Sequence, residues 1–104
     1  MLWPKRTRRM KLPVKYSRIS PKQRREVREE YIRRQDGKCF FCKEPLDQAP
    51  AMKICEAKIN WDLFPGGRNF LRYPIHLQHD HITGLTEGAV HAKCNAYWWE
   101  YHGR

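Results

Sequence analysis

The sequence predicts a small α+β domain held together by zinc, with an N-terminal helix and a basic arm in front of it. Three observations carry this. The chain has 104 residues, enough for one small domain whose apolar core alone is marginal. Its four cysteines include a Cys39-x-x-Cys42 pair, answered downstream by His91-x-x-Cys94; two such pairs can close one tetrahedral zinc site. A helix start near residue 20 is followed by a Pro- and Gly-broken stretch, a strand–turn–strand pattern and an aromatic helical end.

Each element has its own signal. Residues 1–34 hold thirteen basic and three acidic residues, and residues 35–104 hold eight of each. The net charge of +10 therefore belongs to one end of the chain. Residues 1–19 carry seven basic residues, no acid, Pro4 and Pro13, and read as an extended arm that orders when it meets a partner. Trp3, Leu12, Val14, Tyr16 and Ile19 are available to tether part of it. The domain proper spans 20–104. Ser20-Pro21-Lys22-Gln23 is a capping box with proline at the first helical position, which predicts a helix from Pro21 to Gln35, with Gly37 as C-cap. Its apolar face is thin: Val27, Tyr31 and Ile32.

Lys38–Lys43 reads as a tight cysteine-bearing turn. Residues 43–76 are a loop-rich insertion, broken by prolines and glycines, with Met52–Ile59 as a candidate strand. Leu71–Ile82 then reads as a strand, Ile82–Leu85 as a turn and Thr86–Val90 as the returning strand. Asn95–Tyr101 closes the chain as a helix, whose Trp98 and Trp99 read as core.

No apolar run approaches the roughly 18 residues of a membrane span, and the mean hydropathy is -0.88. Lys5, Arg6, Arg8, Arg9 and Lys11 interrupt any secretory signal. The thiols are therefore expected reduced, which favours metal over disulfide. Zinc is expected on Cys39, Cys42, His91 and Cys94. Cys55 lacks a paired neighbour and reads as a buried thiol, although it could replace His91.

The segment Gln78-His79-Asp80-His81-Ile82-Thr83-Gly84, followed by Glu87-Gly88 and His91-Ala92-Lys93-Cys94-Asn95, resembles the HNH, or ββα-metal, nucleases. Within them it is similar to the phage recombination endonuclease VII family, whose pattern runs Cys-x-x-Cys, Asp-His-Asp-His-x-Thr-Gly, Arg-Gly, Cys-x-x-Cys-Asn. The matches span about Lys38–Asn95. Three positions depart: Gln78 stands for a metal-binding aspartate, Glu87 for arginine and His91 for the third cysteine. His91 still suits zinc.

The resemblance implies a zinc-stabilised ββα-metal domain that hydrolyses phosphodiester bonds in DNA. It implies His79 as general base, with one Mg²⁺ or another divalent cation on Asn95 and on Asp80 or Gln78, and His81 orienting the phosphate. In a shifted register Asp80 binds the metal and His81 is the base. The spacing of His79 to His91 favours the first. Lys5, Arg6, Arg8 and Arg9, then Arg24, Arg25 and Arg28, are the expected contacts to backbone phosphates. DNA is the expected partner, with no membrane and no small-molecule substrate; the oligomeric state stays open. A cytoplasmic location is expected, the host's if the protein is phage-encoded. Two rivals remain: a non-catalytic zinc-ribbon-like nucleic-acid-binding protein and a zinc-stapled protein-interaction module. His102, near the end of the chain, reads as solvated.

Overall fold

The computed structural model describes residues 10–101. The first helix, α1, runs Pro21–Arg34. The Gln23 N–H donates to Ser20 Oγ at 3.2 Å and the Ser20 N–H to Gln23 Oε1 at 2.8 Å, which completes the capping box. The helix stops as its sequence asks, with one shift. Asp36, not Gly37, takes the first left-handed position (φ 58°), and Gly37 follows at φ 74°. Their N–H groups return to Arg33 O and Ile32 O, the paired bonds of a Schellman turn. Val27 and Ile32 are buried. So is Glu30, whose carboxylate is gripped by Arg33 and Arg34. The Arg33 hydrogen bond first, then Arg34, holds it below its ordinary value.

Beyond Gly37 the chain folds back as the expected cysteine turn. Lys38 bridges Pro45, the Cys39 N–H donates to Glu44 O, and the Lys43 N–H donates to Cys39 O.

The sheet is a two-stranded antiparallel hairpin, β1 (Ile75–His79) with β2 (Thr86–His91). His76 faces Val90 and Gln78 faces Gly88, with an irregularity between Gln78 and His79. The first strand is shorter than Leu71–Ile82. At its start, residues Gly67–Leu71 form a 3₁₀ turn. At its end, Asp80 Oδ1 accepts the N–H groups of Ile82 (2.7 Å) and Thr83 (3.0 Å) and bends the chain into the turn. The second strand reaches His91, one residue beyond Val90, and runs straight into α3 (Ala92–Tyr101), which begins three residues before Asn95.

The outer edge of β2 is covered by a side chain. The Gln35 amide accepts the Ala89 N–H and donates to Ala89 O, both at 2.9 Å, and the Phe40 N–H also donates to Ala89 O. Gly88 makes room for this: a Cβ there would sit 2.8 Å from Gln35 Oε1 and from Phe40.

Residues 52–59 do not form the candidate strand. They begin with α2 (Met52–Glu56), a single turn that buries Ile54 alone. The insertion is tied to α3 by Tyr101 Oη to Lys58 O, Lys93 Nζ to Cys55 O and the Asn60 N–H to Glu100 Oε1. The core gathers Ile32, Leu46, Ile54, Ala89 and Val90 around Cys39 and Cys94.

The end of the expected arm is fixed on the hairpin. The Val14 N–H donates to Thr86 Oγ1, the Thr86 N–H to Val14 O, and the Tyr16 N–H to Gly84 O. Val14 and Tyr16, two of the residues available to tether the arm, thus bond the hairpin through their backbone. Trp3, Lys5, Arg6, Arg8, Arg9 and His102 lie outside the described residues. No helix among the described residues is long and apolar enough to cross a membrane.

Candidate metal centre and histidine cluster

The cysteine turn and the β2–α3 junction bring Cys39, Cys42, His91 and Cys94 together, with all four ligand atoms within 4.8 Å of one another. His91 Nδ1 lies 3.4 Å from Cys42 Sγ and 3.6 Å from Cys94 Sγ. Tetrahedral zinc with bonds of ~2.3 Å to sulfur and ~2.0–2.1 Å to nitrogen separates S from N by ~3.5–3.6 Å. The distances fit. The tautomer fits as well: His91 Nε2 is 2.9 Å from Pro45 O and 3.0 Å from Gln48 O. Two carbonyl acceptors keep the proton on Nε2 and leave the Nδ1 lone pair for a metal.

One sulfur, that of Cys39, is prepared for charge. A hydrogen bond from Cys94, with backbone N–H groups behind it, lowers the Cys39 thiol to about 4. Those of Phe41 and Cys42 reach its Sγ at 3.3 and 3.4 Å. Beside it, Cys94 is pushed up by Cys39, by burial and by Cys42. Three sulfurs this close ionise together only on a cation, and the group could hold a metal such as zinc. Cys55 takes no part. It is exposed, not buried, and its thiol donates to Pro50 O at 3.2 Å, because the single turn of α2 faces Ile54 inward instead.

The histidine cluster forms where β1 runs out. The rings of His79 and His81 stack at 4.8 Å and 6°. Tyr16 stacks on His79 at 4.1 Å and 14°, and the Arg24 guanidinium lies 4.2 Å over the Tyr16 ring. Burial first, then the charges of His81 and Arg24, holds the His79 imidazole below its ordinary value, against an opposing pull from Asp80. Its unprotonated form is the one a general base needs.

Asn95, in the first turn of α3, pairs with a histidine absent from the sequence reading. Its Nδ2 lies 3.1 Å from His76 Nδ1, and His76 is itself packed edge-on against Phe70. Burial above all holds His76 low and neutral, so its Nδ1 can accept the amide proton. The Asn95 Oδ1 is left to face elsewhere. The other candidate oxygens are unequal. Gln78 is buried, and its Nε2 donates to Glu87 Oε1 at 3.2 Å and to His79 O. Asp80 spends one oxygen on the turn, and those bonds lower its pKa. Gln78, Asp80, Glu87 and Asn95 line one small recess with His79 and His81.

A larger cavity of about 810 Å³ opens beside it, lined by Arg24, Arg25 and Arg28 together with His76, His79 and Asn95. Three of the predicted phosphate contacts thus share a cleft with the predicted catalytic residues. Trp98 packs on Phe40 and Phe41, but it is only half-buried and lines the recess rather than joining the core. Trp99 packs on Phe64 and also meets His81 edge-on. The sequence reading missed His76 and Tyr16 as neighbours of the site, and placed Glu87 in the motif without giving it a role. The period of two from His79 and His81 back to His76 is broken, so only the position of α3 shows what His76 touches.

No protein-family model matches the chain, and no curated protein or solved structure matches it significantly.

Proposed function

We propose that the protein is a zinc-stapled nuclease of the ββα-metal kind, hydrolysing phosphodiester bonds in DNA with His79 as general base. One observation carries the reading: His79, His81 and Asn95 line the same cleft as Arg24, Arg25 and Arg28 of α1. A lowered imidazole, an amide oxygen and three guanidinium groups are what a phosphate ester under attack by water requires.

In this reading His79 takes a proton from the attacking water. Its stacking between Tyr16 and His81 fixes the ring plane and leaves the ring edge, with its nitrogens, to act. His81 and the α1 arginines hold the non-bridging phosphate oxygens. The residues present also fit a hard divalent cation. Asn95 Oδ1 is freed by the His76 bond, and a carboxylate is at hand in Glu87 or in the second oxygen of Asp80. Bound there, magnesium would supply charge neutralisation at the phosphate and the leaving oxygen.

A second reading has specific support. Gln78 brings no carboxylate and Asp80 is half engaged, which favours a zinc-stapled module that binds nucleic acid without cutting it. Supercoiled plasmid, with and without Mg²⁺, separates the two. The nuclease converts it only with Mg²⁺, and His79→Ala lowers the single-turnover rate about 10²–10⁴-fold with DNA affinity intact, while His81→Ala costs less. Binding with no strand scission at any Mg²⁺ concentration would leave the second reading standing.

A further inference from the structure

Ahead of α1 the chain runs antiparallel to the start of β2, on the edge that faces away from β1. Lys15 bridges Leu85. On either side of it the Val14 N–H donates to Thr86 Oγ1 at 3.0 Å and the Tyr16 N–H to Gly84 O at 2.8 Å. The Lys15 ammonium reaches Thr83 O at 2.8 Å. Val14–Tyr16 is thus a strap laid along the hairpin, and α1 grips it and its seat. Tyr31 Oη lies 2.9 Å from Thr86 Oγ1. Upstream, Arg34 donates to Met10 O, and the buried Glu30 carboxylate aims Arg34 through its Nε at 2.8 Å. The strap ends on a ring. Tyr16 stacks on His79, Arg24 covers Tyr16, and His81 stacks on His79 in turn.

We propose that the Val14–Tyr16 strap is the positioning element of the general base, with Tyr16 as the residue that acts through His79. The assignment rests on the nuclease reading above and makes it depend on a segment outside Lys38–Asn95. His79 is the last residue of β1, beyond the irregularity that follows Gln78, so the ladder alone holds it poorly. What holds the ring is contact on its faces. A stack fixes the plane of an imidazole and leaves the nitrogens on its edge free for a proton. The two sides of the sandwich are unequal. His81 is exposed at the turn, whereas Tyr16 is half-buried, covered by Arg24 and fixed by its own backbone bond. Tyr16 is the rigid side. A reactive atom displaced by about 1 Å costs on the order of 10²-fold in rate, so an imidazole released on that side is a poor base even with every motif residue present.

The test uses the full-length, zinc-loaded protein and three variants. Tyr16→Ala removes the ring and Tyr16→Phe keeps it. Val14→Pro removes the N–H that bonds Thr86 Oγ1 and leaves the ring in the chain. Single-turnover plasmid cleavage at saturating protein and Mg²⁺ should fall about 10–100-fold in Tyr16→Ala and return to the native rate in Tyr16→Phe. Val14→Pro should lose rate in the same sense, through the backbone alone. DNA affinity, measured without Mg²⁺, should hold in all three. A second readout needs no turnover. In protein with ¹³C-labelled histidine, at about pH 8 where free imidazoles are neutral, the His79 ring resonances carry the ring-current shift of the stacked Tyr16. That shift should persist in Tyr16→Phe and be lost in Tyr16→Ala and Val14→Pro. A native rate in Tyr16→Ala overturns the proposal. So does an equal loss of rate in Tyr16→Ala and Tyr16→Phe, or a His79 shift that ignores the ring at position 16. The two readings fail separately: cleavage by the native protein that survives Tyr16→Ala sinks the strap alone, and no cleavage by the native protein sinks the nuclease, whatever the His79 resonances do.

Discussion

The ring of Tyr16 lies within 14° of parallel to that of His79, at 4.1 Å, and Arg24 covers Tyr16 in turn. A residue from the basic end of the chain thereby sets the environment of the proposed base. Because burial, His81 and Arg24 lower the His79 pKa from 6.5, the imidazole stays unprotonated to a more acidic pH than a free histidine. The cleavage rate should fall, as pH falls, with a midpoint below 6.5. Arg24→Gln removes one of the charges and should move that midpoint upward. Tyr16→Phe, which keeps the ring, should leave it in place. A pH–rate profile under single-turnover conditions measures all three.

The His76–Asn95 pair predicts a defect in metal use. Truncating a group that orients a ligand typically costs 10–100-fold in metal affinity. His76→Ala should raise the Mg²⁺ concentration for half-maximal cleavage by about that factor while leaving the saturated rate near normal. Mn²⁺ titration by calorimetry should show the same shift without any turnover. Asn95→Ala should lose both affinity and rate.

Glu87 and Asp80 are predicted to separate cleanly. The Glu87 carboxylate is held beside Gln78 in the recess, so Glu87→Gln should weaken Mn²⁺ binding tenfold or more. Asp80→Ala strips the turn of its Ile82 and Thr83 acceptor and should lower the Tm. Unchanged Mn²⁺ affinity in Glu87→Gln, with its loss in Asp80→Ala, would hand the carboxylate role to Asp80.

The Cys39–Cys42–His91–Cys94 group predicts about one zinc per chain, measured by elemental analysis. Metal release should unfold the domain, because binding energy at such a site is folding energy. Cys94→Ala and His91→Ala should lose zinc and tertiary structure together. Cys55→Ser should keep both, since that thiol is exposed and bonds Pro50 O.

What the sequence disclosed, and what it hid, divides along local and long-range physics. Ser20 to Gln23 predicts its cap because both partners sit within one turn. The two metal pairs announce themselves by spacing, and their geometry answers. The insertion does not: Met52 to Ile59 offers a candidate strand, yet a single turn of helix sends Ile54 into the core and leaves Met52 exposed. Cys55, which lacks a paired neighbour, reads as an interior thiol, and that turn puts it outside. His76 is equally opaque, since its partner Asn95 lies beyond the hairpin. Tyr16 looks like an arm residue until the Val14–Thr86 bonds place it on the turn. Each miss depends on where a distant segment lands.

Cys39 and Cys42 stand before the insertion, and His91 and Cys94 stand after it. A metal shared by the two pairs would clasp everything between them into a ring. The entropy of closing a ring grows only with the logarithm of its length, about 0.6 kcal/mol for each doubling. The clasp therefore tolerates lengthening or replacement of the stretch that carries Leu63, Phe64, Phe70 and Tyr73, while α1, the hairpin and α3 keep their places. In such a design the frame of α1, hairpin and α3 and the insertion between the two pairs can vary independently, one held constant by the clasp and the other free to be rewritten.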